Sequence, residues 1–85
     1  MVQHKEKLLE ALSKDKAGDW DGAHVIVQQI DTLESNSIHA YLHRKEPDLN
    51  NARYWYNRVG KPLPEMSFDA EWQMLYDIVN AGKNG

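Results

Sequence analysis

Gly18-Asp19-Trp20-Asp21-Gly22-Ala23 and Pro47-Asp48-Leu49-Asn50-Asn51-Ala52 share one plan: a turn residue, then Asp, a large apolar side chain, two variable positions and Ala. The two alanines lie 29 positions apart. Gly or Pro ends the preceding helix, and Asp accepts from the orphan amides of the helix that follows. A small residue one turn inside that helix lets a neighbour come close. Working outward from these two starts predicts an all-α chain, a single helical domain over 1–85. Five short helices, about 2–14, 19–33, 36–46, 48–59 and 67–81, form antiparallel stacked hairpins.

The remaining assignments follow from apolar periodicity and stop signals. Val2, Leu8, Leu9 and Leu12 fall on one side of the first helix, which ends in the polar run Lys14 to Gly18. In the second, Trp20, Ala23, Val27 and Ile30 recur at three- and four-residue steps, flanked by Ile26 and Leu33. Gly22, Val25, Ile26 and Val27 lower its intrinsic propensity, so packing has to hold it. Glu34-Ser35-Asn36-Ser37 reads as a cap-and-turn cluster before a third helix with Ile38, Tyr41, Leu42 and the stem of Lys45 on one side. Pro47 ends it, and Asp48 caps a fourth helix whose apolar face is Leu49, Ala52, Trp55, Tyr56 and Val59, closed by Gly60. Two prolines fix an extended connection, Lys61 to Glu65. Ser67 then caps a fifth helix striped by Phe68, Trp72, Leu75 and Val79, with Gly82 as its stop and Lys83-Asn84-Gly85 frayed.

Composition narrows the chemistry. An 85-residue chain has room for one core, and three Trp, four Tyr and one Phe supply its bulk. The absence of Cys excludes disulfides, zinc-thiolate sites and thiol nucleophiles. A net charge of −3 disfavours nucleic acid as a general partner. The charge is unevenly spread: Lys and Arg against Asp and Glu run four to seven over 1–38, five to two over 39–61, and one to four over 62–85. No apolar stretch approaches the roughly 20 residues that span a bilayer, and no signal-like run follows the charged opening, so a cytoplasmic protein without membrane contact is expected.

The two Asp-to-Ala turns are similar to the turn between paired helices of a tetratricopeptide repeat, with Ala40 and Ala52 at its small positions and Pro64 near its end. His39 and His43 stand where that repeat carries apolar residues, and the period is shorter than its roughly 34 residues. A longer string resembles a set of small bacterial and fungal proteins: Trp20-Asp21-x-Ala23-His24, then His39-Ala40-Tyr41-Leu42-His43-Arg44-x-Glu46-x-Asp48, then Asn51-Ala52-Arg53-Tyr54-Trp55-Tyr56. The resemblance spans about residues 18 to 60 and brings no activity with it.

Two groups of residues could carry function. His39 and His43 are four apart on one helix, so their rings share a face, and His24 lies one turn after Trp20 on another. Stacked hairpins would let the three imidazoles converge with Glu46 nearby, a donor set suited to zinc or another divalent metal. The structural alternative is a wet hairpin interface in which the rings bond Tyr56, Asp48 or backbone groups. The second group is Arg44, Arg53, Arg58 and Lys61, interleaved with Tyr54, Trp55 and Tyr56, which could grip an anion while stacking an aromatic group, as single-stranded nucleic acid or a nucleotide would require, beside His39 and His43. Its structural alternative is that these cations answer the acidic first and fifth helices. Trp20, Trp55 and Trp72 are expected mainly in the core, and Glu65, Asp69 and Glu71 against a helix dipole. With no phosphate loop and no serine triad, binding is expected ahead of catalysis. The leading expectation is a helical module engaging a protein segment or small anionic ligand at the helix 3 and helix 4 surface. The alternative is a metal protein centred on His24, His39 and His43.

Overall fold

The computed structural model describes residues 4–81, all of whose regular structure is helical. The five helices are α1 (Lys5–Lys16), α2 (Trp20–Val27), α3 (Leu33–Lys45), α4 (Leu49–Arg58) and α5 (Phe68–Ala81). Val2, the Gly82 stop and the tail Lys83-Asn84-Gly85 lie outside the described residues. No helix among the described residues is long and apolar enough to cross a membrane.

The helix ends obey local chemistry. Asp19 accepts from the Gly22 amide at 2.9 Å, Asp48 from Asn51 at 3.3 Å and Ser67 from Ala70 at 3.1 Å, so all three sequence-assigned caps are in place. α1 runs to Lys16, two residues past the expected end. Gly18, at φ 92°, reverses the chain with its amide on the Asp15 carbonyl, and the Asp19 amide reaches the Lys14 carbonyl at 2.8 Å. Gly60, at φ 75°, does the same for α4: the Gly60 amide meets the Asn57 carbonyl and the Lys61 amide meets that of Tyr56. At the ends of both α1 and α4 a left-handed glycine lets the last carbonyls find partners before the chain departs.

The boundary between α2 and α3 differs from expectation. α2 stops at Val27 rather than near Leu33, and Glu34 to Ser37 are helical. Thr32 is the N-cap of α3, accepting from the Ser35 amide at 3.1 Å. Ser, Asn and Thr favour caps because their side chains compete for nearby backbone groups, which is why this run reads as a turn. Here that competition is resolved inside the helix. Ser37 donates to the Leu33 carbonyl at 2.8 Å, Asn36 to Asp31 at 3.0 Å, and Ser35 to the last residue of α2, at the buried Val27 carbonyl, at 2.9 Å. With the boundary moved, Leu33 stands 59% exposed instead of flanking a buried face.

α3 is the central element. Every residue from Ser35 to His43 is buried, because α1, α2, α4 and α5 all pack on it. A helix wrapped on all sides carries no amphipathic stripe, so the one-sided face read from Ile38, Tyr41 and Leu42 was only part of its surface. One core joins Leu8, Ala11 and Leu12 of α1, Ala23 and Val27 of α2, Ile38, Tyr41 and Leu42 of α3, and Leu75 and Val79 of α5. A smaller cluster of Ala40, Ala52 and Tyr56 closes the α3/α4 hairpin. Both turn alanines, Ala23 and Ala52, are fully buried, and α1/α2 and α3/α4 are the most intimately packed pairs. The helical hairpins expected from the two turns are therefore present.

Two buried carboxylates tie the layers together. Asp15 of α1 accepts from the Tyr41 hydroxyl at 2.7 Å and from Lys45 at 3.0 Å. Glu71 of α5 accepts from the Tyr56 hydroxyl at 2.6 Å and from Arg44 at 2.7 Å, and Arg44 also donates to the Met66 carbonyl. Two cations of the basic middle segment, Arg44 and Lys45, thus answer the acidic fifth and first helices. Glu71, only 1% exposed, is an interior ion-pair partner rather than the surface dipole residue the sequence suggested. Burial, then the adjacent carboxylates, push the Tyr41 and Tyr56 hydroxyls well above the usual tyrosine range, so both remain donors. Phe68, expected in the stripe, is 43% exposed and lies under the Arg44 guanidinium.

Candidate functional site

The middle of the α2/α3 interface is filled by imidazoles. His39 and His43 lie one turn apart on α3, and His24 faces them from α2. The ring centroids form a nearly equilateral triangle: 4.7 Å from His24 to His39, 5.1 Å from His24 to His43 and 4.9 Å from His39 to His43. The Nε2 atoms of His24 and His39 are 3.1 Å apart. Each of the three residues offers a ring nitrogen within 4.8 Å of the others.

Indoles and one carboxylate fix the rings. Trp20 stacks on His24 at 4.9 Å and 9°, its own N–H donating to the Leu42 carbonyl at 2.7 Å. Trp55 of α4 stacks on His39 at 4.0 Å and 18°. Glu46, at the C-cap of α3, meets His43 Nδ1 at 2.8 Å. Because a carboxylate oxygen accepts, that bond places a proton on Nδ1 of His43. Glu46 therefore acts on the cluster through His43. Tyr56 is engaged by Glu71 and the Asp48 carboxylate accepts from the Asn51 amide and side chain, so neither is the hydrogen-bonding partner of the rings.

Electrostatics keep two of the rings neutral near pH 7. Burial, reinforced by His24 and His43, holds the pKa of His39 down at about 4. Burial and then His43 also lower that of His24, with Glu46 and Asp21 pulling weakly the other way. A neutral imidazole presents one lone pair, the form that binds metals. Nδ1 of His39 is buried with no hydrogen-bonding partner, the single such side-chain atom found among the described residues.

The second sequence-assigned group does not form one surface. Arg44 turns inward to Glu71, and Trp55 belongs to the imidazole cluster. Arg53 and Tyr54 are exposed on α4. Arg58 lies over the Trp55 ring at 5.2 Å and pairs loosely with Asp31 at 3.5 Å. Trp20 is the contributor that the sequence did not assign to a site. Its position one turn before His24 on the same helix was the available signal.

Clefts of 110 to 410 Å³ elsewhere on the described surface are lined by other residues, none of them His24, His39 or His43. The nearest in chemistry is lined by Asp15, Gly18, Trp20, Lys45 and Glu46 and borders the site only through Trp20 and Glu46. Comparison of the chain with protein-family models, curated proteins and solved structures gave no match.

Proposed function

We propose that this protein binds a divalent transition-metal ion, with zinc the best fit, through His24, His39 and His43. The observation that carries the reading is the 3.1 Å approach of two Nε2 atoms inside a near-equilateral triangle of imidazoles. Two nitrogens bound to one tetrahedral zinc at about 2.05 Å stand about 3.3 Å apart, which the His24 and His39 pair nearly matches, and the nitrogen of His43, within 4.8 Å of both, closes in to complete the set. All-imidazole donors without thiolate suit zinc, copper or nickel rather than magnesium or calcium. Glu46 supports the reading as an outer partner, since a carboxylate that accepts from a ligating histidine fixes the ring and raises its basicity. The test is metal analysis of tag-free protein after dialysis against zinc. One ion per chain is expected, lost in a His39→Ala/His43→Ala variant, and wild type that retains none refutes the reading.

A second reading keeps the outer side of α4 as an interaction surface for a protein segment or small anionic ligand. It is supported by Leu49 and Tyr54, 42% and 53% exposed, beside the exposed Arg53 and Arg58. Capture of a partner should drop at least about tenfold in an Arg53→Ala/Tyr54→Ala variant, because exposed aromatic and arginine side chains dominate such contacts. Equal capture by the variant would remove this surface from consideration.

A further inference from the structure

An ion held by all three histidines would join two helices of very different security. α3 is enclosed along nine consecutive residues. α2 has eight residues, against the roughly 12 to 15 at which an isolated helix becomes even marginally stable. Gly22 and the β-branched Val25, Ile26 and Val27 weaken it further. Only Ala23 and Val27 of α2 are fully buried.

The ties from α2 to α3 sit at its two ends. Trp20 donates to the Leu42 carbonyl at the start, and Ser35 donates to the Val27 carbonyl at the finish. Between them Ala23 and Val27 meet the core of α3 on one side, and the rest of the interface holds imidazoles. There the 3.1 Å contact of His24 with His39 is the one cross-helix hydrogen bond, and His39 Nδ1 remains without a partner. The middle of this interface is thus incompletely satisfied in a way that the Asp15 and Glu71 contacts are not.

Resting on the metal reading above, we propose that metal binding controls the docking of α2 onto α3. The bound ion locks α2, and in its absence α2 detaches from α3 more readily than any other described helix. His24 and His39 are 15 positions apart, so the cross-link closes a short loop containing the rest of α2 and the turn into α3. α4 and α5 lie outside that loop. The constraint falls locally, which separates this proposal from the general stabilisation that any native-state ligand confers.

Hydrogen exchange of the full-length, tag-free chain, with zinc and with a chelator, tests it, with bound zinc measured in the same samples. Amides of 20–28 should gain roughly tenfold or more in protection on zinc addition, while those of 49–58 and 68–81 change by less than about threefold. Bound zinc with a uniform gain, or with no gain over 20–28, overturns the docking proposal and leaves the metal reading standing. No bound zinc removes both. A Trp20→Phe variant keeps a ring against His24 but loses the bond to Leu42, so its zinc-dependent gain over 20–28 should be larger than that of wild type. An unchanged gain counts against the proposal, and if that variant does not fold, the wild-type comparison decides alone.

Discussion

The two carboxylate networks and the histidine cluster are all buried polar groups on the central helix, yet they are built in opposite ways. Asp15 and Glu71 each meet a tyrosine hydroxyl and a cation, so charge and hydrogen-bonding capacity are both matched. The imidazoles hold a single bonded carboxylate, Glu46, stack against indoles and leave a ring nitrogen unpartnered. A matched network is sufficient in itself and needs nothing added. A set of imidazoles with an unpartnered ring nitrogen is not, and that is the physical basis for reading one as scaffold and the other as site.

Breaking the matched side should have the largest effect. Glu71→Ala leaves the Arg44 guanidinium and the Tyr56 hydroxyl without their acceptor, at a cost of about 3 to 5 kcal/mol in urea unfolding. A loss under about 1 kcal/mol would show that the network is not load-sharing with the core.

The histidine side should respond to acid instead. In metal-free protein the unfolded chain takes up protons on these rings near pH 6.5, whereas folded His39 does so only near 4 and folded His24 below its usual range. Stability conferred by the neutral rings is therefore fully present above pH 6.5 and falls as pH drops toward 4, by an amount on the order of 2 to 3 kcal/mol. Urea midpoints measured across that window check the slope. A flat profile would contradict the burial of the rings.

Smaller changes sharpen the contrast. Trp20→Phe removes the indole donor to the Leu42 carbonyl and should cost about 1 kcal/mol, seen as a lowered Tm. At the periphery, Arg58→Ala breaks a pair whose Asp31 partner is 81% exposed, so a change within about 0.5 kcal/mol is expected. If Arg58→Ala destabilised more than Trp20→Phe, the ranking of buried over exposed polar contacts used throughout would fail.

Legibility in the sequence followed the range of the interactions. The caps at Asp19, Asp48 and Ser67 and the reversals at Gly18 and Gly60 depend on neighbours within a few residues, and each was assigned where it occurs. The start of α3 was misplaced because Ser35, Asn36 and Ser37 make the local bonds that normally end or begin helices. Their burial depends on contacts with other helices, which no local pattern encodes. Glu71 was misread for the same reason: a carboxylate in a first turn suits the dipole, and only the approach of Arg44 and Tyr56 makes it an interior group. Within the site, the four-residue spacing of His39 and His43 put two rings on one face. The arrival of His24, the sandwiching indoles and the attachment of Glu46 to His43 depend on how α2 and α4 pack on α3.

By itself the sequence determined the number of helices, the chemistry of their ends and the candidate ligands, because backbone capping and helical periodicity act over one or two turns. Tertiary structure alone decided that α3 lies at the centre, that Arg44 and Lys45 are spent on buried carboxylates, and that three imidazoles meet within ring-contact distance. Those outcomes are set by which faces exclude water together, a property of the assembled helices rather than of any one segment.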